Sequence, residues 1–182
     1  MIQTDSPHHH DSEDDEFETF LLPSDGTFPN NPSLRVILYR DVIAFETAEP
    51  AAEIERVFQE HGWNGVWRNG IFGYHHFHAT AHEVLGVASG AVTVQLGGEE
   101  GPILELAPGD VVILPAGVAH KNIDSSDDFV VVGAYPPGQI WDVNTGGEDE
   151  RPRVDESIAA VPLPETDPVY GPEGPLVSLW RG

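Results

Sequence analysis

The chain has 182 residues, of which 40% are hydrophobic, and its 31 acidic and 8 basic side chains give a formal charge of −23. Such a charge repels phosphate backbones and anionic lipid surfaces, so we expect neither nucleic-acid nor membrane binding. The sequence contains no cysteine, which excludes disulfides, thiolate ligands and a cysteine nucleophile. No signal peptide and no apolar run of about 20 residues is evident, so we expect a cytoplasmic protein.

The first sixteen residues, "MIQTDSPHHHDSEDDE", are polar and acidic and have no hydrophobic periodicity. This composition predicts a disordered acidic arm over residues 1–16. The triplet His8, His9 and His10 lies in this arm, and we interpret it as a solvated tail rather than a functional metal site. Residues 17–182 are then expected to form one domain.

The next segment predicts extended pieces and then one helix. Residues 17–39 contain apolar stretches separated by turns rich in Pro, Asn and Gly. In "EPAAEIERVFQEHGW", Pro50 suits the first position of a helix, and Ile54 and Phe58 recur at helical spacing. Gly62 is a suitable residue to end that helix.

The pattern changes over residues 66–135, where short β-branched runs alternate with turns, as in "AVTVQLGG", "PILELAPGD" and "VVILPAG". Strands this short and this closely spaced predict an all-β sandwich or barrel. The segment 146–182 is acidic and rich in proline, with one short helix predicted around Val154–Val161. Its apolar residues, including Leu176 and Trp180, predict that the segment packs on the barrel or on a partner subunit.

Four of the nine histidines lie in "GIFGYHHFHATAHEVLGVASG", at His75, His76, His78 and His82. Because side chains alternate along a strand, His76 and His78 should project together and away from Phe77. In the following strand Glu83 shares a face with Leu85 and Val87, which places its carboxylate inside the barrel. We interpret His75 as an outward-facing structural residue, and His82 should also point away from the site.

A second histidine signal follows in "GDVVILPAGVAHKNID", where a buried strand and a tight turn precede His120. A neighbouring strand would allow His120 to complete a set of three histidines and one carboxylate. This mixed nitrogen and oxygen set suits one divalent transition metal ion, with Fe, Mn, Ni, Zn and Co as candidates.

These two segments resemble the two sequence motifs of the cupin superfamily. The first, G-x5-H-x-H-x4-E-x6-G, matches at Gly70, His76, His78, Glu83 and Gly90. The second, G-x5-P-x-G-x2-H-x3-N, matches at Gly109, Pro115, Gly117 and His120, and departs only at Asp124. Beyond the motifs, the stretches "HEVLGV", "VVGAYPPGQIWD" and "DPVYGPEGPLVSLW" resemble the YjlB-like branch of small bacterial cupins.

The resemblance implies a double-stranded β-helix, also called a cupin or jelly-roll barrel, with one or two short flanking helices. It implies a metal-binding core over 66–135, with His76, His78, Glu83 and His120 as ligands. Small cupins usually pair, so we also expect a homodimer.

Two function classes remain open at this stage. One is a metal-dependent enzyme acting on a small chelating molecule, of the dioxygenase or isomerase type. The other is a non-catalytic cupin that binds a small ligand or metal for sensing or storage. The expected partner is a small molecule, with a carboxylate as one candidate group. Candidates for the pocket rim are Arg68, Tyr74, Gln139 and Trp141. The guanidinium of Arg68 suits a carboxylate ligand, although an ion pair with one of the 31 acidic side chains is the favoured interpretation.

Overall fold

A computed structural model describes residues 17–182, and the predicted arm with its three histidines lies outside the described residues. The described part forms nine strands, which are β1 Phe17–Leu22, β2 Asn31–Tyr39, β3 Asn64–Asn69, β4 Glu83–Ser89, β5 Val92–Leu96, β6 Ile103–Leu106, β7 Val111–Leu114, β8 His120–Ser125 and β9 Val130–Tyr135. Three helices accompany them, namely α1 Pro50–Glu60, α2 Arg153–Ala160 and α3 Pro175–Arg181.

The strands form two antiparallel sheets that share one core. Six strands are ordered β1-β2-β7-β4-β9-β3, and three are ordered β6-β5-β8. Buried side chains from both sheets meet in one apolar cluster that includes Leu38, Leu85, Val94, Leu106, Val112 and Val131. The alternating apolar residues of these strands therefore fill the space between the sheets, as expected for a barrel with one packed interior.

The outer face of the larger sheet is covered by helices. Ile54 and Phe58 of α1 pack there in a second cluster together with Val84 of β4. Gly86 of β4 permits this contact, because an added Cβ would lie 2.8 Å from Cγ2 of Ile54. Val84 thus faces the helices whereas Leu85 faces the barrel core, which confirms the predicted alternation along β4.

The histidine-rich segment differs from the expected continuous strand. Regular pairing of β3 ends at Asn69, and the segment is then held by two isolated bridges, His76 with His120 and Phe77 with Asn144. The backbone hydrogen bonds of His76 and of Phe77 point to opposite sides of the segment. The backbone is therefore extended, and the side chains still alternate. Phe77 is fully buried in a third apolar cluster, away from the two flanking histidines.

The C-terminal segment contacts the barrel through side-chain hydrogen bonds. Nε1 of Trp180 in α3 donates to the carbonyl oxygen of Arg35 at 2.9 Å. The buried carboxylate of Asp167 accepts from the hydroxyl of Tyr39 and from the backbone N–H of Leu176. Helix α2 lies close to its predicted position, whereas α3 was not predicted from sequence. Over residues 17–182 no helix is long and apolar enough to cross a membrane.

Candidate metal centre

The structure brings the four predicted ligands together at one end of the barrel. Glu83 is the first residue of β4, His120 is the first of β8, and the other two flank Phe77. One ring nitrogen from each of His76, His78 and His120 lies within 4.8 Å of the others, and all three side chains are buried. Oε2 of Glu83 lies 3.1 Å from Nε2 of His78 and 3.4 Å from Nε2 of His120.

Backbone carbonyl groups fix the orientation of all three imidazoles. Nδ1 of His76 lies 3.2 Å from the oxygen of Tyr74, and Nδ1 of His120 lies 3.0 Å from that of Val118. Nδ1 of His78 contacts the carbonyl oxygen of Asp142. A carbonyl oxygen only accepts, so each Nδ1 carries a hydrogen and donates it. The Nε2 atoms are therefore free to bind a cation, the arrangement usual for histidine ligands of metals.

Glu83 is almost completely buried, and its two oxygens have different surroundings. Oε1 accepts a hydrogen bond from the hydroxyl of Tyr135 at 3.2 Å, whereas Oε2 has no hydrogen-bond donor within residues 17–182. Its neighbours are the Nε2 atoms of His78 and His120, which leave it without a donor as long as both imidazoles are neutral. A buried carboxylate is costly unless a positive charge lies beside it. A cation shared by Oε2 and the imidazoles would remove that cost.

The pKa values within the cluster reflect the same need for positive charge. Burial by itself lowers the pKa of His78, but the Glu83 carboxylate, together with Asp142, outweighs burial and raises the pKa to about 9. Burial raises the pKa of Glu83, and the charge on His78 lowers it more, so the carboxyl stays ionised. Burial and the neighbouring His120 lower the pKa of His76 to about 3. Without a metal, one proton on His78 therefore neutralises Glu83.

These residues form the floor of a cavity of about 400 Å³. Of the four candidate rim residues, Arg68 and Trp141 line this cavity. The indole of Trp141 is half-exposed and stacks on the ring of Tyr135, with centroids 6.2 Å apart. The guanidinium of Arg68 instead donates two hydrogen bonds to the carboxylate of Glu55 on α1, at 2.5 and 3.0 Å. Its charged end is therefore already paired.

The other two candidates do not line the cavity. Tyr74 is half-exposed and stacks on Phe72, with ring centroids 5.0 Å apart. The side chain of Gln139 accepts from the backbone N–H of His82 and donates to the carbonyl oxygen of Pro162. Gln139 thus ties two loops together.

The remaining two clustered histidines lie outside the cavity lining. His75 is buried against Phe28, with ring centroids 5.2 Å apart. Nδ1 of His82 accepts from the backbone N–H of Ala116 at 2.9 Å, and its ring packs 4.8 Å from Trp180. Both side chains point away from the cluster as expected, but His75 is buried and not outward-facing, because its ring packs against Phe28.

Among the cavity residues that were not identified from sequence, Trp67 and Tyr135 form a hydrogen-bond chain to Glu83. The hydroxyl of Tyr135 joins Glu83 to Trp67, whose Nε1 donates to it at 2.8 Å. The indole of Trp67 fits against Gly133, where an added Cβ would lie 2.2 Å from the ring. Alternation along β9 was the available signal, since Val131 faces the barrel core and Tyr135 lies four residues further on the same side.

Comparison with known proteins identifies the family. The cupin domain model matches residues 66–132. The protein named "Uncharacterized protein YjlB" from Bacillus subtilis (strain 168) is 38% identical over 165 residues, which are 91% of this chain and 97% of that protein. The chain therefore belongs to the cupin superfamily and, within it, to the YjlB-like branch. The predicted all-β cupin barrel with short flanking helices is confirmed.

Solved structures with partial similarity include two enzymes. Acireductone dioxygenase from Bacillus anthracis, with a cadmium ion in its active center, is 21% identical, and the match covers 50% of this chain and 63% of that one, with a TM-score of 0.37. The QdtA 3,4-ketoisomerase from Thermoanaerobacterium thermosaccharolyticum is 24% identical, with 42% and 60% coverage and a TM-score of 0.36. The chain spans less than two thirds of the length of either protein.

Proposed function

We propose that this protein is a metal-dependent enzyme that acts on a small molecule in a reaction of the dioxygenase or isomerase type. His76, His78, Glu83 and His120 would together hold one divalent ion, with Fe, Mn, Ni, Zn and Co as candidates. One observation carries the proposal. Three imidazole nitrogens lie within 4.8 Å of one another, and Oε2 of Glu83 lies 3.1 and 3.4 Å from two of the imidazoles, in a cavity large enough for a small molecule.

The chemistry follows from the ligand set and its surroundings. A divalent ion held by these four residues would supply Lewis-acid chemistry or would activate a small molecule bound to it. Tyr135 lines the same cavity, and both burial and the Glu83 carboxylate raise the pKa of its hydroxyl. Tyr135 therefore keeps its proton and holds Oε1 of Glu83.

The test compares metal-loaded protein, metal-free protein and the His78→Ala variant with a panel of small chelating molecules. An enzyme should give dioxygen uptake or product formation with the loaded protein alone. The other function class, ligand capture for sensing or storage, should raise the melting temperature without turnover. Binding without turnover across the panel, with each candidate metal, would overturn the catalytic proposal and leave the metal site intact.

Metal binding by the unaltered protein is expected to release a proton and to strengthen as pH rises towards about 9. Although burial lowers the pKa of His78, the Glu83 carboxylate raises it to about 9, so the proton present at pH 7 must leave before Nε2 can bind metal. Calorimetry in buffers of different ionisation enthalpy measures this release. We expect about one proton at pH 7 and nearly none at pH 10. Equal release at both pH values would contradict the assignment of His78.

Residues 17–182 are proposed to form a single cupin domain, because the C-terminal segment is hydrogen-bonded to β2.

We also propose that two chains associate as a homodimer. Strand β1 lies at the edge of the larger sheet, and edge strands offer backbone groups that favour association. Light scattering should then give twice the chain mass of 19.8 kDa. A monomer mass at micromolar concentration would rule the dimer out.

A further inference from the structure

The walls of the cavity above the four proposed ligands are mainly apolar. They include Trp67, Ile71, Phe72, Leu85, Trp141 and Val143. Three of these side chains are unusually exposed for their size, namely Phe72 at 49%, Trp141 at 50% and Val143 at 42%. Single exposed apolar residues are common, but several around one cavity are typical of a ligand-binding site.

Two of the aromatic rings lie directly beside the proposed ligands. The ring centroid of Trp141 is 6.0 Å from that of His78, and the centroid of Phe72 is 4.9 Å from that of His76. A molecule bound to the metal would therefore touch these rings as soon as it extends beyond its coordinating atoms. Because Trp141 is half-exposed, a flat ligand can lie against the part of its indole that Tyr135 does not cover.

The charge of the cavity limits the charge of its ligand. Among the described residues that line it, Arg68 is the one permanent cation, and its guanidinium is bound to Glu55. A divalent ion and the Glu83 carboxylate together carry one net positive charge. One anionic oxygen donor neutralises that charge, whereas a dianion would bring an uncompensated charge into a partly buried site. The chain charge of −23 also repels dianions at long range.

We propose that the cavity selects a flat, largely apolar molecule that carries at most one negative charge and presents oxygen atoms to the metal at one end. The inference rests on the proposed metal site and specifies its substrate class. It replaces a carboxylate-binding role for Arg68 with recognition by Trp141 and Phe72. The polar end of the ligand is recognised by the metal, and the remainder by the aromatic walls.

The experiment uses the full chain loaded with cobalt(II), after metal analysis has established one ion per chain. Benzohydroxamate and acetohydroxamate are the first probes, because they share one monoanionic chelating group and differ in a phenyl ring against a methyl group. We expect benzohydroxamate to bind at least about tenfold tighter, since the ring is buried against aromatic side chains. Oxalate, a dianion of similar chelating geometry, is the third probe. For each probe, the affinity for the cobalt(II) protein is divided by the affinity for aqueous cobalt(II). This ratio should be at least about tenfold smaller for oxalate than for acetohydroxamate.

Two cavity variants, Trp141→Ala and Phe72→Ala, and one control variant locate the selectivity. Trp141→Ala should reduce the preference for benzohydroxamate by about tenfold and leave the affinity for acetohydroxamate within about twofold. Ile140→Ala is the matched control, because this neighbouring side chain is 81% exposed and does not line the cavity. It should leave the preference for benzohydroxamate unchanged.

Each alternative result has a distinct meaning. Equal binding of the two hydroxamates, or an unchanged preference in both Trp141→Ala and Phe72→Ala, would overturn the aromatic selection. If oxalate binds as tightly as its affinity for aqueous cobalt(II) predicts, the proposed limit on the charge of the ligand is overturned. Failure of every probe with one cobalt bound would overturn the proposed substrate class but not the metal site. Absence of bound cobalt would refute the metal site, and the substrate class with it.

Discussion

Replacing His78 with alanine is expected to weaken metal binding by more than about 100-fold, which exceeds the effect usual for residues that only support a ligand. The variant loses one imidazole and also the cationic partner of Glu83, whose Oε2 lies 3.1 Å from Nε2 of His78. Competition with a chelator, together with elemental analysis after dialysis, measures the loss. The unaltered protein should retain about one ion per chain, and the variant almost none.

The matched control is His75→Leu. His75 is buried beside the cluster, but neither of its ring nitrogens has a hydrogen-bond partner among the described residues. Leucine keeps most of the volume and removes little more than a 3.6 Å contact of Nε2 with the exposed Glu99 carboxylate, so the variant should fold and bind metal normally. His8, His9 and His10 remain in every protein compared, so any weak binding by them cancels. Metal retention by His78→Ala at the original affinity would refute the proposed ligand set.

The positions of the four proposed ligands were predictable because local rules fix them. Alternation places His76 and His78 on one side of Phe77, and it places Glu83 on the side of Leu85. These rules hold even though the histidine segment is bridged rather than paired as a regular strand. The resemblance to the two motifs then predicted the one long-range contact, that of His120 with the other proposed ligands.

Features that depend on distant partners were not predictable. An ion pair between Arg68 and an acidic side chain was the favoured interpretation, but its partner was not predictable, because Glu55 is thirteen residues earlier, on the helix that covers the outer face of the sheet. Helix α3 follows several prolines and glycines, and the burial of Trp180 against the barrel, rather than local sequence, stabilises it. Tertiary contacts therefore determine both the partner of Arg68 and the formation of helix α3.

The hydrogen-bond chain from Trp67 through Tyr135 to Glu83 is another such long-range feature, and it suggests how the carboxylate is oriented. Trp67 lies on β3, Tyr135 ends β9 and Glu83 begins β4, and β9 pairs with both other strands. The hydroxyl holds Oε1 of Glu83, which leaves Oε2 beside the imidazoles of His78 and His120. Rigid pairing of three strands therefore sets the direction of one carboxylate oxygen.

Removing this hydroxyl with Tyr135→Phe is expected to weaken metal binding by about 10- to 100-fold, the range typical of groups that orient a metal ligand. The stoichiometry at saturating metal should stay at one ion per chain, since all four proposed ligands remain. The loss of the donor frees Glu83 to rotate, so the absorption spectrum of the cobalt(II) protein should change as well. Tyr74→Phe is the matched control, because Tyr74 is half-exposed and does not line the cavity. If Tyr135→Phe binds metal within about twofold of the original affinity and keeps the cobalt spectrum, then the barrel backbone alone orients Glu83.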